Sequence, residues 1–202
     1  MKKIVVVAVA ILALIPASVF GFSAPKPSEF GLGLTASYPV GYAFYYQANF
    51  GGLPEPWPMF WGATVKWKPG ALVLDLGMSY WSGFTNFDFW SGTANFIYGY
   101  LGAGFALDLW IFRFWLGGSI DVVNVSVPGD SNYSAFGVSA KTSLDLKLGP
   151  VTVGVSMAFP LDLLASMLAQ GSVYEGDNLF RIFAGQASVN VVYWFGGKRK
   201  SQ

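Results

Sequence analysis

From Phe30 to Phe195, apolar residues recur at every second position in one segment after another. In the first segment Phe30, Leu32, Leu34, Ala36 and Tyr38 alternate with Gly31, Gly33, Thr35 and Ser37. Period two places the two sets on opposite faces of a β-strand. The pattern predicts eight strands, near 30–38, 59–68, 71–81, 94–109, 112–127, 133–148, 151–160 and 178–195. One face is apolar, and the other is mostly Gly, Ser and Thr with a few charges. The chain is 53% hydrophobic and 11% charged, against about 25% charged in soluble domains. Past the N-terminus no run of about 20 apolar residues offers a spanning helix. In lipid, only helices and closed barrels satisfy every backbone group. The expected fold is therefore all-β, an eight-stranded antiparallel up-and-down transmembrane β-barrel with the apolar face outward. A soluble barrel would carry its charges outside, and the polar face here has too few of them.

The connections add independent information. Lys68-Pro69-Gly70, Trp110-Ile111 and Gly149-Pro150 are short, whereas 39–58, 82–93, 128–132 and 161–177 are mostly longer. Short periplasmic turns and longer external loops alternate in this way in transmembrane barrels. An even strand count then leaves both termini periplasmic. Residues 42–50 are expected in the first external loop, because a ninth strand would break the alternation. Pro160 to Gly171 reads as a short amphipathic helix in the last loop.

Residues 1–21 read as a cleavable export signal. Lys2 and Lys3 precede the apolar stretch Ile4–Leu14, and Val19-Phe20-Gly21 offers small residues for cleavage near Gly21, with Ala24 as an alternative. A basic periplasmic tail, 196–202, closes the chain. The barrel domain is 22–202.

Several functions are disfavoured by what is missing. Net charge is +1, so no nucleic-acid partner is expected. The chain has no Cys and no His. Neither a metal site nor a cofactor is expected, and no enzyme activity. A Ser–Lys pairing is conceivable around Lys141, but residues two apart on one strand sit about 7 Å apart, and Ser139 and Ser143 suit a lumen lining.

The export signal, the eight alternating strands, the turn–loop rhythm and the aromatic last strand Val191-Val192-Tyr193-Trp194-Phe195 resemble the small outer-membrane barrels, the family of the OmpA transmembrane domain, OmpX and OmpW. The resemblance is architectural and no subfamily motif carries it. It implies outer-membrane lipid as surroundings and a barrel-insertion machinery that reads the C-terminal strand. Here Gly196 to Gln202 follow the aromatic residue that normally ends that signal.

The inward face collects Lys66, Asp75, Asp108, Arg113, Asp121, Lys141, Asp145 and Lys147. Asp108 and Arg113 should face each other across a two-residue turn. Lys66 and Asp75 are expected as diagonal neighbours, as are Asp121 and Lys141 across an external connection. An eight-stranded barrel is just wide enough to be filled by side chains, so balanced pairs suggest a plugged lumen. Tyr38, Trp61, Trp67, Tyr80, Trp110, Tyr193 and Phe195 are expected at the membrane interfaces. Trp81, Phe84, Phe87, Phe89, Trp90, Tyr45, Tyr46 and Trp57 form a candidate loop surface for an apolar solute or a surface partner, or else continue the wall. The leading reading is a monomeric structural or surface-interaction barrel. The alternative is a narrow OmpW-like channel for small hydrophobic solutes.

Overall fold

The structure is a computed structural model that describes residues 28–52, 58–87, 90–129, 132–161 and 183–196. Eight strands close into a barrel in sequence order. They are β1 (Glu29–Pro39), β2 (Phe60–Lys68), β3 (Leu72–Phe87), β4 (Trp90–Leu109), β5 (Phe112–Ser126), β6 (Asn132–Leu148), β7 (Val151–Pro160) and β8 (Gln186–Phe195). Each pairs antiparallel with the next, and β1 pairs with β8, so no strand is left at an open edge over the shared length. The export signal, most of the basic tail and the helix expected after Leu161 lie outside the described residues.

The ladder fixes the stagger of the barrel. From Glu29 it crosses to Lys68, passes one residue beyond the Trp67–Leu74 pair to Val73, and runs through Gly104, Gly117, Lys141, Ala158 and Gln186. It returns to β1 at Pro39, ten residues above its start. Shared over eight strands, the climb is about one residue per strand, which is the tilt that closing such a sheet requires. This offset determines which inward side chains share a level.

The wall has two heights. β7, β8, β1 and β2 are contiguous and span 10, 10, 11 and 9 residues. β3 to β6 are also contiguous and span 16, 20, 15 and 17 residues. The tall half rises at the loop end, and its height corrects one expectation. Residues 82–87 and 90–93 are not an open loop: β3 and β4 stay paired out to Phe87 and Trp90. The partner strand overrides the Ser, Gly and Asn residues that read locally as loop.

The first connection is neither an irregular loop nor wall. Val40–Phe50 forms a helix, α1, which Gly51 ends in the left-handed conformation at φ 68°. Its N-terminus has no side-chain cap and no acidic residue in the first turn. Two of its free N–H groups instead turn to the chain before β8: Val40 N–H donates to Gly185 O at 2.8 Å, and Gly41 N–H to the same oxygen at 3.5 Å. The final strand is also shorter than expected. It starts at Gln186, and Phe183 and Ala184 form a helical turn ahead of it.

Candidate functional site in the barrel lumen

The lumen is filled by two zones of different chemistry. At the short-turn end the zone is ionic, and Arg113 of β5 is its centre. Its Nε donates to Asp108 Oδ1 at 2.7 Å, its Nη2 to Glu29 Oε2 at 2.6 Å, and its guanidinium lies 4.4 Å from the Trp194 ring centroid. Lys68 and Lys147 also reach Asp108, at 2.9 and 3.4 Å. One level up, Asp75 is 2% exposed, accepts three hydrogen bonds and faces a second lysine. Lys141 Nζ stands 3.0 Å away, Thr64 Oγ1 2.6 Å, Tyr100 OH 3.2 Å and Lys66 Nζ 4.0 Å. Lys141 Nζ also sits 3.1 Å from the centroid of the Tyr100 ring. Buried charges persist when paired and hydrogen-bonded, and each charge named here faces an opposite one, with Arg113 Nη1 alone of that guanidinium's buried donors left without a partner.

Above the ions lies Asp121, fully buried, whose Oδ1 accepts from Tyr98 OH and Ser119 Oγ, each at 2.9 Å. Over it the lumen turns apolar. Phe60, Phe96 and Phe183 are each 0% exposed. Phe183 lies 4.5 Å from Phe96, 6.4 Å from Phe60 and stacked at 5.5 Å on Tyr42 of α1, between ring centroids. Trp81 packs on Phe96 at 5.0 Å, and Val123 and Val125 complete the tall wall behind them. Each aromatic pair adds about 0.5–1.5 kcal/mol beyond area burial. The rings of α1 and of the segment before β8 thus form a stopper, leaning from the short half of the barrel onto the tall half.

The outer face is apolar over the strand length. Leu34, at the middle of β1, is 72% exposed, and Leu76, Leu101, Leu116, Ile120, Val155 and Val191 are exposed around the circumference. A continuous belt of this kind is incompatible with water and suits acyl chains. Trp61, Trp67, Tyr80, Trp110, Tyr193 and Phe195 all lie exposed on this surface, with Tyr38 half-buried. Trp110 is 87% exposed at a two-residue turn, and adopts φ 48° there. Trp67 Nε1 donates to Ser28 Oγ at 2.7 Å and Tyr80 OH to Asn95 Oδ1 at 2.8 Å.

Several residues are not where the sequence places them. Lys66 and Asp75 are directly opposed across the β2–β3 hairpin, not diagonal, because the turn takes three residues. Asp121 faces Gly137 in the ladder, and Lys141 faces Gly117; Lys141 reaches across to Asp75 instead, so the expected Asp121–Lys141 pair is replaced. Asp145 is buried beside Arg113 in the β5–β6 register. Phe183, read as a lipid-facing strand residue, is the centre of the stopper. Trp81 and Tyr46, expected on an open loop surface, pack against the aromatic cluster. For Phe84, Phe87, Trp90 and Tyr45 only the backbone is described, in the β3–β4 hairpin and in α1; Phe89 and Trp57 lie outside the described residues.

Sequence reasoning passed over Glu29 and Lys68. Lys68 shares the parity of Lys66 and Thr64, which was signal enough. Glu29 precedes the first apolar residue of β1 and carries no such mark. Adding them leaves the inward charges balanced, with Glu29, Asp75, Asp108, Asp121 and Asp145 against Lys66, Lys68, Arg113, Lys141 and Lys147.

No protein-family profile matches the chain, and no curated protein matches it. Among solved structures it is similar to the attachment invasion locus protein Ail of Yersinia pestis, at 10% identity and TM-score 0.47 over 84% of this chain and 99% of that one. It is also similar to the N-terminal β-barrel domain of Pseudomonas aeruginosa OprF, at 10% identity and TM-score 0.42 over 85% and 99%. Neisserial surface protein A gives 10% identity and TM-score 0.41 over 85% and 95%. The likeness is to small eight-stranded outer-membrane barrels and is one of architecture.

Proposed function

We propose that this chain is a monomeric outer-membrane barrel, both termini periplasmic, that works as a sealed structural or surface-interaction protein and neither conducts nor catalyses. The observation that carries this reading is the double filling of the lumen: the Arg113–Asp108–Glu29 network at one end and the Tyr42–Phe183–Phe96 stack at the other. A selective pore would be expected to show rings of one charge sign, whereas the inward charges here are of both signs and all but Asp121 and Asp145 form ion pairs among the described residues. The lipid-facing belt supports membrane insertion, and the aromatic last strand Val191–Phe195 is the segment the insertion machinery would read. The tall half of the wall would carry any contact with partners, since it lifts the β3–β4 and β5–β6 hairpins above the short half.

The test is single-channel recording of the purified protein in planar bilayers. A sealed barrel gives no ohmic steps, and steady conductance would overturn the reading. Passage of small apolar solutes is favoured by one feature, the apolar inner face of the tall wall at Phe96, Val123 and Val125. In the closed form that face is covered by Phe183. Saturable binding of an apolar fluorophore, lost in Trp81→Ala, would favour that second reading over the first.

A further inference from the structure

Between the ionic zone and the aromatic stopper lies one level of the lumen where several buried polar atoms lack protein partners. Correcting the ladder for its climb places Ser37, Ser79, Ser119, Asp121, Ser139 and Gln186 at a common height. The same climb sets Glu29, Asp108 and Arg113 together lower down, where Glu29 of β1 and Arg113 of β5 touch across the bore. At the upper level Ser37 Oγ, Ser79 Oγ and Gln186 Oε1 are buried without a hydrogen-bond partner, and Asp121 Oδ2 and Ser139 Oγ, whose side chains face each other, make no hydrogen bond of good geometry. All five side chains are at least nine-tenths buried, from 0% exposure at Asp121 and Ser139 to 4% at Ser79. Buried polar atoms are rarely left unpaired in native proteins, and a cluster of them on one level points to a bound species.

The chemistry of that species follows from the donors. Every unpaired atom is an oxygen, which suits hard cations rather than soft ones. The level carries one formal charge, that of Asp121. Among the described residues no basic side chain forms an ion pair with it. The nearest candidates are committed elsewhere: Lys141 and Lys66 lie on Asp75, and Lys68, Arg113 and Lys147 on Asp108. High-affinity calcium sites draw on several carboxylates, and magnesium demands near-ideal octahedral geometry. A single carboxylate with hydroxyl and amide oxygens matches one positive charge. The bore of an eight-stranded barrel leaves room for little more than an ion and its water.

We propose that the Asp121 level binds a monovalent alkali cation, held by Asp121 Oδ2 and Ser139 Oγ and hydrated toward Ser37, Ser79 and Gln186, with the stopper as its roof and the Lys141–Asp75 cluster as its floor. The cation neutralises Asp121, the one inward carboxylate above the ionic zone among the described residues. Because the site is enclosed, it fills as the barrel closes.

The experiment is to refold the full mature chain into detergent in sodium chloride, potassium chloride or N-methylglucamine chloride at equal ionic strength, and to follow thermal unfolding by tryptophan fluorescence. A filled site raises the midpoint in one alkali salt by about 5 °C or more over the organic cation. Asp121→Asn should fold and lose that difference. Should Asp121→Asn fail to fold, Ser139→Ala supplies the same comparison. Equal midpoints in all three salts, or an alkali effect that survives in the variant that folds, would leave water alone at this level and overturn the proposal. Thallium soaked into crystals of the refolded protein gives the second readout: an anomalous peak between Asp121 and Ser139 supports the site, and no peak there counts against it.

Discussion

Glu29 Oε2 and Arg113 Nη2 meet at 2.6 Å across the full width of the bore, tying the first strand to the fifth. Neighbouring strands share backbone ladders, but strands four apart can meet only through side chains long enough to cross. Arg113 is 5% exposed and meets Asp108 and Trp194 in the same layer. Removing it leaves Glu29 uncompensated, while Asp108 keeps Lys68 and Lys147. Arg113→Ala is therefore expected to destabilise the barrel by about 3–5 kcal/mol, the usual cost of breaking a buried pair from one side. Urea unfolding monitored by tryptophan fluorescence reads the loss. Glu29→Gln, which keeps a hydrogen-bond acceptor for Arg113, should cost less than half as much.

Close backbone approach is expected to make a pair of glycines irreplaceable. Gly104 of β4 faces Gly117 of β5, and a methyl on either would lie 2.6 Å from the Cα of the other. The obstruction is backbone, which cannot rotate away as a side chain can. Gly104→Ala or Gly117→Ala should cost about 1–3 kcal/mol, as overpacking does in close-packed interiors. Gly102→Ala is the internal control, since its nearest heavy atom would stand at 3.4 Å. Equal unfolding midpoints for Gly102→Ala and Gly104→Ala would contradict the packing argument.

Orientation toward lipid can be read at Leu34. This residue is 72% exposed in the middle of β1, while its neighbour Thr35 points inward. An arginine on the lipid face near mid-membrane costs about 2–4 kcal/mol. Leu34→Arg should lower the folding yield into phospholipid vesicles, assayed by protease protection, whereas the same protein in a small-micelle detergent should fold nearly as well as wild type. A yield in vesicles equal to wild type would mean that this face does not meet acyl chains.

The parts of the structure legible in the sequence are those governed by period two. Parity alone puts Lys66, Asp75, Arg113 and Lys141 inside, and Leu34 and Leu101 outside. The same parity puts Phe60 on the inward set, yet nothing local says that an inward phenylalanine belongs to a stopper. Its ring partners are Trp81, Phe96 and Phe183, the last more than a hundred residues away. Helix α1 escaped notice because the usual marks of a helix start are absent: Pro39 offers no capping side chain and the first turn no acid. Its order comes from packing on Phe183 and from the Gly185 carbonyl. The hairpin beyond Trp81 was hidden for the opposite reason. Ser82, Gly83 and Asn86 have loop character, but the ladder with β4 supplies hydrogen bonds that composition cannot reveal. Asp121 and Lys141 are diagonal neighbours only if the external connection is short; the ladder sets Asp121 opposite Gly137 and Lys141 opposite Gly117, and Lys141 reaches across to Asp75 instead.

Two barriers in series make a specific demand on conductance. The ionic zone and the aromatic stopper sit at different heights and share no side chain, so each should close the bore alone. Phe183→Ala removes the ring that touches Tyr42, Phe60 and Phe96, and should cost about 3–5 kcal/mol as a large-to-small change in a packed cluster. It leaves Arg113 on Asp108 and Glu29, and the lumen should stay shut. Arg113→Ala leaves the stopper in place, and the lumen should again stay shut. The double variant loses the centre of each barrier and keeps the Lys141–Asp75 cluster between them, and should show ohmic steps in planar bilayers where neither single variant does. If Arg113→Ala by itself conducts as strongly as the double variant, the stopper is no seal, and the closed state rests on the ion network alone.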